Sequence, residues 1–457
     1  MNDFVEPTGA GLMQATAVNA TTFASEGTKS SSGFIPAGMA LPFILVTSLF
    51  FLWGVPNNLN DVLIRQFMKS FQISRFQAGL IQSAFYLGYF VLATPAALLM
   101  RRFGYKSGIL CGLGLMGSGS LLFWPAAVVG RYWFFLGALF VIASGLSFLE
   151  TAANPFIAQL GGPEGAARRL NFSQAFNPLG SITGVLIGTV FIFSGVELNS
   201  AQIASMRAAN TYESYLKHET LRVINPYLAI GLVAFAIAFL IWRTPFPAIA
   251  SESSDAAHGH GSFRDLLGYP HFMTAVVAQF MYVGAQVGTW SYFIQYVQDC
   301  VHRPEKVAGY FLTGTLVAFG VGRFSSAALM RYIRPSTLLG FYSLVNVALL
   351  TVGVARPGWT GLWAVFASSF FMSVMFPTIF ALGIQGLGPN SKIAASIVVM
   401  AIVGGAALTP LMGLISQSAG IALAYCVPLG SYVFVGLYAF WGSHLRPFGA
   451  RAHSWQF

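Results

Sequence analysis

Charge is what this sequence has least of. Only 8% of its 457 residues are Asp, Glu, Lys or Arg, against 56% hydrophobic, whereas soluble domains carry roughly 25% charged residues. A soluble chain of this length must cover its surface with polar groups, so the shortage excludes an ordinary soluble enzyme and makes lipid the solvent. Cysteine is also scarce. Cys111, Cys300 and Cys426 sit within or beside three different apolar runs; their odd number and spacing exclude a metal knuckle and leave them as small packing residues. No glycine loop followed by Lys and Ser or Thr occurs, which excludes an ATP-driven pump of the P-loop kind. No nucleophile–base pair or metal set stands out, so neither enzyme activity nor a cofactor is expected. His258 and His260 have no third ligand nearby in the sequence. Residues 1–38 lack the basic segment and short apolar stretch of a cleaved signal, and their Ser, Thr, Gly and Ala content reads as a disordered cytoplasmic tail.

What is present is apolar runs of about 20 residues, the length that crosses a bilayer core. Twelve are expected, near 40–66, 78–100, 107–127, 132–159, 171–195, 225–243, 270–298, 306–329, 337–354, 359–385, 393–416 and 421–444. Two connections are long, 196–224 and 244–269; the second reads as a flexible cytoplasmic linker. The formal charge is +10, but Lys and Arg are scattered between apolar runs and act as orientation signals rather than a nucleic-acid footprint. With both termini inside, the pairs Arg101–Arg102 and Arg168–Arg169 fall on the cytoplasmic side.

The chain repeats itself. Residues 78–101 align with 308–331 without a gap, AGLIQSAF against AGYFLTGT and ALLMRR against AALMRY, and ETAANPFIAQLG matches MSVMFPTIFALG on Pro155 and Pro377. Six spans plus six parallel spans put the site near the midplane, between halves that rock. The expected organisation is a tail at 1–38, a six-helix bundle at 39–243, the linker at 244–269, a second bundle at 270–444 and a cytoplasmic tail at 445–457.

Of 14 acidic residues, two fall inside spans: Asp61 in the first and Glu150 in the fourth. A carboxylate in a membrane helix is costly and marks function. Asn57, Asn58 and Asp61 share one helix face, one turn after Gly54 and Pro56, which should kink or open the helix. Glu150 and Asn154 are one turn apart, as are Gln174 and Asn177 in the fifth span. Gln82, Tyr86 and Tyr89 share a face of the second span. Such amides and carboxylates suit adjacent hydroxyls of a sugar. The second half offers Gln279, Tyr282, Gln286 and Trp290 along the seventh span, and otherwise an apolar wall. Arg323, near the cytoplasmic end of the eighth span, reads as snorkelling to the interface. Gly180, Gly184 and Gly188 recur every four residues, a close-packing stripe.

The strings SLFFLWGVPNNLND, FQAGLIQSAFYLGYF, LETAANPF, LNFSQAFNPLG and YVGAQVGTWSYFIQY resemble the fucose:proton symporter family of the major facilitator superfamily, over nearly all of residues 40–420. That resemblance implies an all-α integral membrane fold, with twelve helices in two six-helix bundles related by pseudo-two-fold symmetry. It implies a monomeric, multi-pass sugar:proton symporter of the bacterial inner membrane, with L-fucose as first candidate substrate and a sodium- or proton-coupled carrier of another hexose as the alternative. It casts Asp61 as the proton-coupling carboxylate and Glu150 as the one that binds sugar and links binding to protonation. Asn58, Gln174 and Asn177 become pocket residues. Two departures bear on the sugar: Pro56 in GVPNN replaces an expected small residue, and Phe376 stands where an aromatic hydroxyl is expected.

Overall fold

The computed structural model describes residue 35 and residues 38–161, 166–246, 263–330, 332–387 and 390–445. The expected tails and most of the linker, with His258 and His260, lie outside them. The regular structure among the described residues is helical. Eleven of these helices are long and apolar enough to cross a membrane. The twelfth span is the seventh in order, Pro270–Ser291 continued by Phe293–Val301, in which Gln279, Gln286, Thr289 and Ser291 dilute the apolar content.

The first half comprises Ala40–Phe71, Arg75–Met100, Arg102–Val129, Tyr132–Gln159, a fifth span built from Ala166–Gln174 and Phe176–Ile187, and Ile224–Arg243. The second half continues after the seventh span with Glu305–Leu329, Pro335–Ala355, Trp359–Met372 plus Met375–Ile384, Ser391–Met400 plus Gly404–Ala419, and Ile421–Ala424 plus Cys426–Phe440. These match the expected spans to within a few residues, except that the fifth starts five residues early, at Ala166, and ends with the π-helical turn Gly188–Ile192, short of the expected 195.

Proline explains most interruptions. A proline ring clashes with the carbonyl four residues earlier and offers no N–H. Breaks accordingly fall three to four residues before Pro125, Pro178, Pro377 and Pro428. At Pro56 the helix does not open: the first span runs as one helix from Ala40 to Phe71 with Pro56 inside it. Just before Pro56, the carbonyls of Phe51 and Val55 lie against Gly180 and Gly184 of the fifth span. Between the second and third spans the chain turns at Gly104, whose φ of 80° suits glycine.

The pseudo-two-fold relation is visible in the packing. The first span packs on the fifth as the seventh packs on the eleventh; the second on the fourth as the eighth on the tenth; the third on the sixth as the ninth on the twelfth. Across the interface, the second meets the eleventh and the fifth meets the eighth.

The stripe of small residues performs as its spacing suggests. A side chain at Gly180 would strike the Phe51 carbonyl, one at Gly184 the Val55 carbonyl, and one at Gly188 the side chains of Val62 and Leu59. Backbone-to-backbone approach leaves no room to yield, so Gly184→Val should cost at least the ~1–3 kcal/mol typical of overpacking. The expected result is loss of the monodisperse, thermally stable protein in detergent; an unchanged melting profile would refute this account of the first–fifth contact.

The long 196–224 connection contains two short helices, Ser200–Ala208 and Tyr212–Leu221. The first starts at a capping box in which Asn199 and Gln202 satisfy each other's backbone N–H, at 2.8 and 2.9 Å.

Candidate functional site

A cavity of about 270 Å³ lies between the halves, near the lower edge of the roughly 300–1,000 Å³ usual for small-molecule sites. Its walls differ in chemistry. The first half contributes Asn57, Asn58, Asp61, Gln82, Tyr86, Tyr89, Glu150, Asn154, Gln174 and Asn177, with Phe50 and Trp53. The second half contributes Val283, Gln286, Val287, Trp290, Leu316, Phe319, Arg323, Phe376 and Ile402.

The polar wall is partly pre-arranged. Asp61 is 3% exposed and accepts from Gln82 Nε2 at 2.9 Å, Ser291 Oγ at 2.9 Å and Asn58 Nδ2 at 3.3 Å. Gln174 Nε2 donates to Asn154 Oδ1 at 3.3 Å, and Asn154 Nδ2 to the Glu150 carbonyl at 2.9 Å. Asn177 Nδ2 donates weakly to the Phe50 carbonyl at 3.4 Å. The Glu150 carboxylate makes no hydrogen bond or ion pair among the described residues and faces the cavity half-buried. Asp61 is therefore engaged and Glu150 is open to a solute.

On the opposite wall, Trp290 donates Nε1–H to Ser369 Oγ at 3.1 Å and meets Phe319 edge-on at 5.1 Å. Arg323 lies over the other part of that aromatic shelf, its guanidinium 5.2 Å from the Phe319 ring centre. It forms no ion pair among the described residues. Read from sequence as a snorkelling residue, Arg323 is instead a cavity-wall cation.

Most expected site residues therefore meet at one place: Asn58, Asp61, Gln82, Tyr86, Glu150, Gln174, Asn177, Gln286 and Trp290 all line the cavity. Gln279 and Tyr282 do not. Both are fully buried, and the Tyr282 hydroxyl donates to the Met372 carbonyl at 2.8 Å, satisfying an acceptor left over at the end of the helix Trp359–Met372.

The two halves are bonded together at the end expected to face outside. Glu305, fully buried at the start of the eighth span, faces Lys69 at 2.9 Å and Arg65 at 3.7 Å from the first span. Lys69 also meets Glu219 from the second loop helix at 3.1 Å. Glu197 accepts from the Glu305 backbone N–H at 2.8 Å and from Gln298 Nε2 at 2.5 Å. Arg75 pairs with Asp299 and donates to Ser416 Oγ at 2.7 Å. A buried ion whose partners leave is strongly penalised, so Glu305→Gln should shift the halves toward separation at this end by about tenfold or more, since it removes charge-assisted bonds. Distances between spin labels on the two halves would register this; an unchanged distribution would mean the cluster is incidental to closure.

The model of the Major Facilitator Superfamily matches residues 38–402. The L-fucose-proton symporter of Escherichia coli is 43% identical over 87% of this chain and 92% of its own length. The glucose/galactose transporter of Brucella abortus is 36% identical over 87% of this chain and 93% of its own. Among solved structures, the transporter FucP in its outward conformation aligns with a TM-score of 0.66 at 42% identity, covering 88% of this chain and 99% of that one. A D-xylose-proton symporter aligns with a TM-score of 0.69 at 12% identity, over 88% and 97%, a likeness of fold alone.

Proposed function

Since this chain belongs to the major facilitator superfamily, together with the fucose-proton symporters, we propose that it carries a sugar and a proton together across a bacterial inner membrane. The observation that carries this reading is the asymmetry of the cavity. One wall holds amides and two carboxylates, which accept and donate to adjacent hydroxyls; the other holds Trp290, Phe319 and Phe376, whose faces suit the C–H face of a sugar ring. L-Fucose is the first candidate, by similarity to the E. coli symporter.

With both termini taken as cytoplasmic, the end closed by Glu305, Lys69 and Arg75 faces outside. In the cycle, Asp61 takes a proton from outside, and sugar binds between the halves against Asn58, Glu150, Gln174 and Asn177. With the proton bound, no bare carboxylate has to pass an apolar seal, and the halves rock to release both inside. Asp61 sits above the open carboxylate of Glu150, nearer the outer closure, which suits a division between proton handling and sugar contact.

Phe376 supports a second reading. It lines the cavity without the hydroxyl that family resemblance leads one to expect, removing one donor to the sugar. A hexose other than fucose, such as the glucose or galactose named for the Brucella relative, is the second candidate.

Uptake of labelled L-fucose into energised vesicles, competed with glucose, galactose, fructose and N-acetylglucosamine, separates the two. Adding the true substrate to unbuffered cells should alkalinise the medium. Uptake that requires sodium and leaves the pH unchanged would refute proton coupling.

A further inference from the structure

The three donors that hold Asp61 do not belong to one half. Asn58 lies on the same helix and Gln82 on the neighbouring second span, so both travel with Asp61. Ser291 comes from the seventh span, in the other half, where it is the last residue of the helix Pro270–Ser291. It is fully buried. Its hydroxyl donates to Asp61 Oδ1 at 2.9 Å and accepts from Gln82 Nε2 at 2.9 Å, while Gln82 also reaches Asp61 Oδ1 at 2.9 Å. Hydroxyl, amide and carboxylate thus close a small ring across the interface, near the outer closure.

We propose that Ser291 is the positioning residue through which the second half reads the charge of Asp61. The proposal rests on the reading of Asp61 as the proton site. A hydroxyl donating to a carboxylate makes a charge-assisted bond, roughly twice as strong as one between neutral groups. When the halves part at the outer end, Asn58 and Gln82 stay with Asp61 and Ser291 withdraws. Outer closure is therefore favoured more when Asp61 is ionised than when it carries a proton. Once the proton has left toward the inside, the bond strengthens and holds the outer end shut, so that sugar departs inward. Glu150 cannot serve this way, because it has no bonded partner in the second half.

Other charged or titratable groups surround the same region. Tyr86 and Tyr89 on the second span, Glu150 on the fourth and Arg323 on the eighth share the cavity. Arg65, Lys69, Glu197, Glu219 and Glu305, and Arg75 with Asp299, stand beyond it at the outer closure. A pH response alone is therefore ambiguous, and the test removes Asp61 as a separate arm.

Spin labels at the exposed positions Glu213 and Thr360, in a full-length background with Cys111, Cys300 and Cys426 replaced, report opening of the outer end in reconstituted protein. At alkaline pH, Ser291→Ala should lower the ratio of outer-closed to outer-open protein about tenfold, the scale of one bond to a charged group. Combined with Asp61→Asn, the same change should shift the ratio less than about threefold. Ser291→Thr, which keeps the hydroxyl, should restore closure and its pH response. An equal shift in both backgrounds, or none in either, overturns the proposal and leaves Ser291 a packing residue. Proton-linked uptake with no Asp61-dependent shift sinks this inference alone. An Asp61-dependent shift in a protein whose uptake ignores protons sinks the transport reading instead.

Discussion

Glu150→Ala is expected to abolish sugar binding, not merely accumulation. The Glu150 carboxylate is the one acidic group in the cavity without a protein partner, so its acceptor capacity is available to the solute. Hydrogen bonds to a charged group contribute about 1.5–3 kcal/mol each. Losing two of them to neighbouring sugar hydroxyls should weaken Kd about a hundredfold or more, beyond detection for a carrier of modest affinity. Glu150→Gln keeps one acceptor oxygen and the shape while removing charge, and should retain measurable binding with altered pH dependence. Titration of the detergent-solubilised protein by calorimetry decides the matter. Unchanged affinity in Glu150→Ala would show that the sugar sits elsewhere, and the assignment of the polar wall would fail with it.

Asp61→Asn should separate exchange from accumulation. Asn is close in shape to a protonated Asp and permanently neutral. The variant therefore resembles the proton-loaded carrier, whose rocking is allowed. Gln82 and Ser291 can still bond to the amide oxygen, so the local ring survives, while the amide nitrogen takes the place of the oxygen that accepts from Asn58. Counterflow of sugar against sugar should persist and lose its pH dependence, while uphill uptake driven by a proton gradient should fall to background. Both measurements are made in the same vesicles. Loss of both activities in a well-folded variant would make Asp61 a binding or structural residue.

Much of this arrangement was legible in the residues, and the part that was not has a physical reason. Spans are legible because bilayer thickness fixes their length. Asp61 and Glu150 stand out because lipid makes a carboxylate conspicuous. Periodicity, however, gives a face and not a depth. Gln279 and Gln286 lie two turns apart on one face of the seventh span, yet only Gln286 reaches the cavity, and Gln279 is fully buried. Arg323 looked like a residue escaping to the interface because it lies near a span end; packing turned it over Phe319 instead. The outer closure was invisible for a different cause. Glu197, Glu219, Asp299 and Glu305 fall in connections or at helix starts, where charge is ordinarily solvated. Only the approach of the halves, and the folding of 200–221 into helices, brings them against Arg65, Lys69 and Arg75. A proline in a helix can open it, but the helix continues through Pro56, and just before it the glycines of the fifth span lie against the carbonyls of Phe51 and Val55.

The seventh span also bears on how the protein is made. Alone among the twelve, it is not apolar enough to be recognised as a membrane helix by its composition. Gln279, Gln286, Thr289 and Ser291 are the cause, and Ser291 finds its partners Asp61 and Gln82 only once the halves have met. Emerging from the ribosome by itself, this segment gains little from partitioning into lipid. Its place in the bilayer is secured by helices already inserted and by those that follow, which shield its amides. Biogenesis of the second half is therefore cooperative, and a truncation ending just after residue 301 should leave the seventh segment poorly inserted, whereas extension through the eleventh span should restore it.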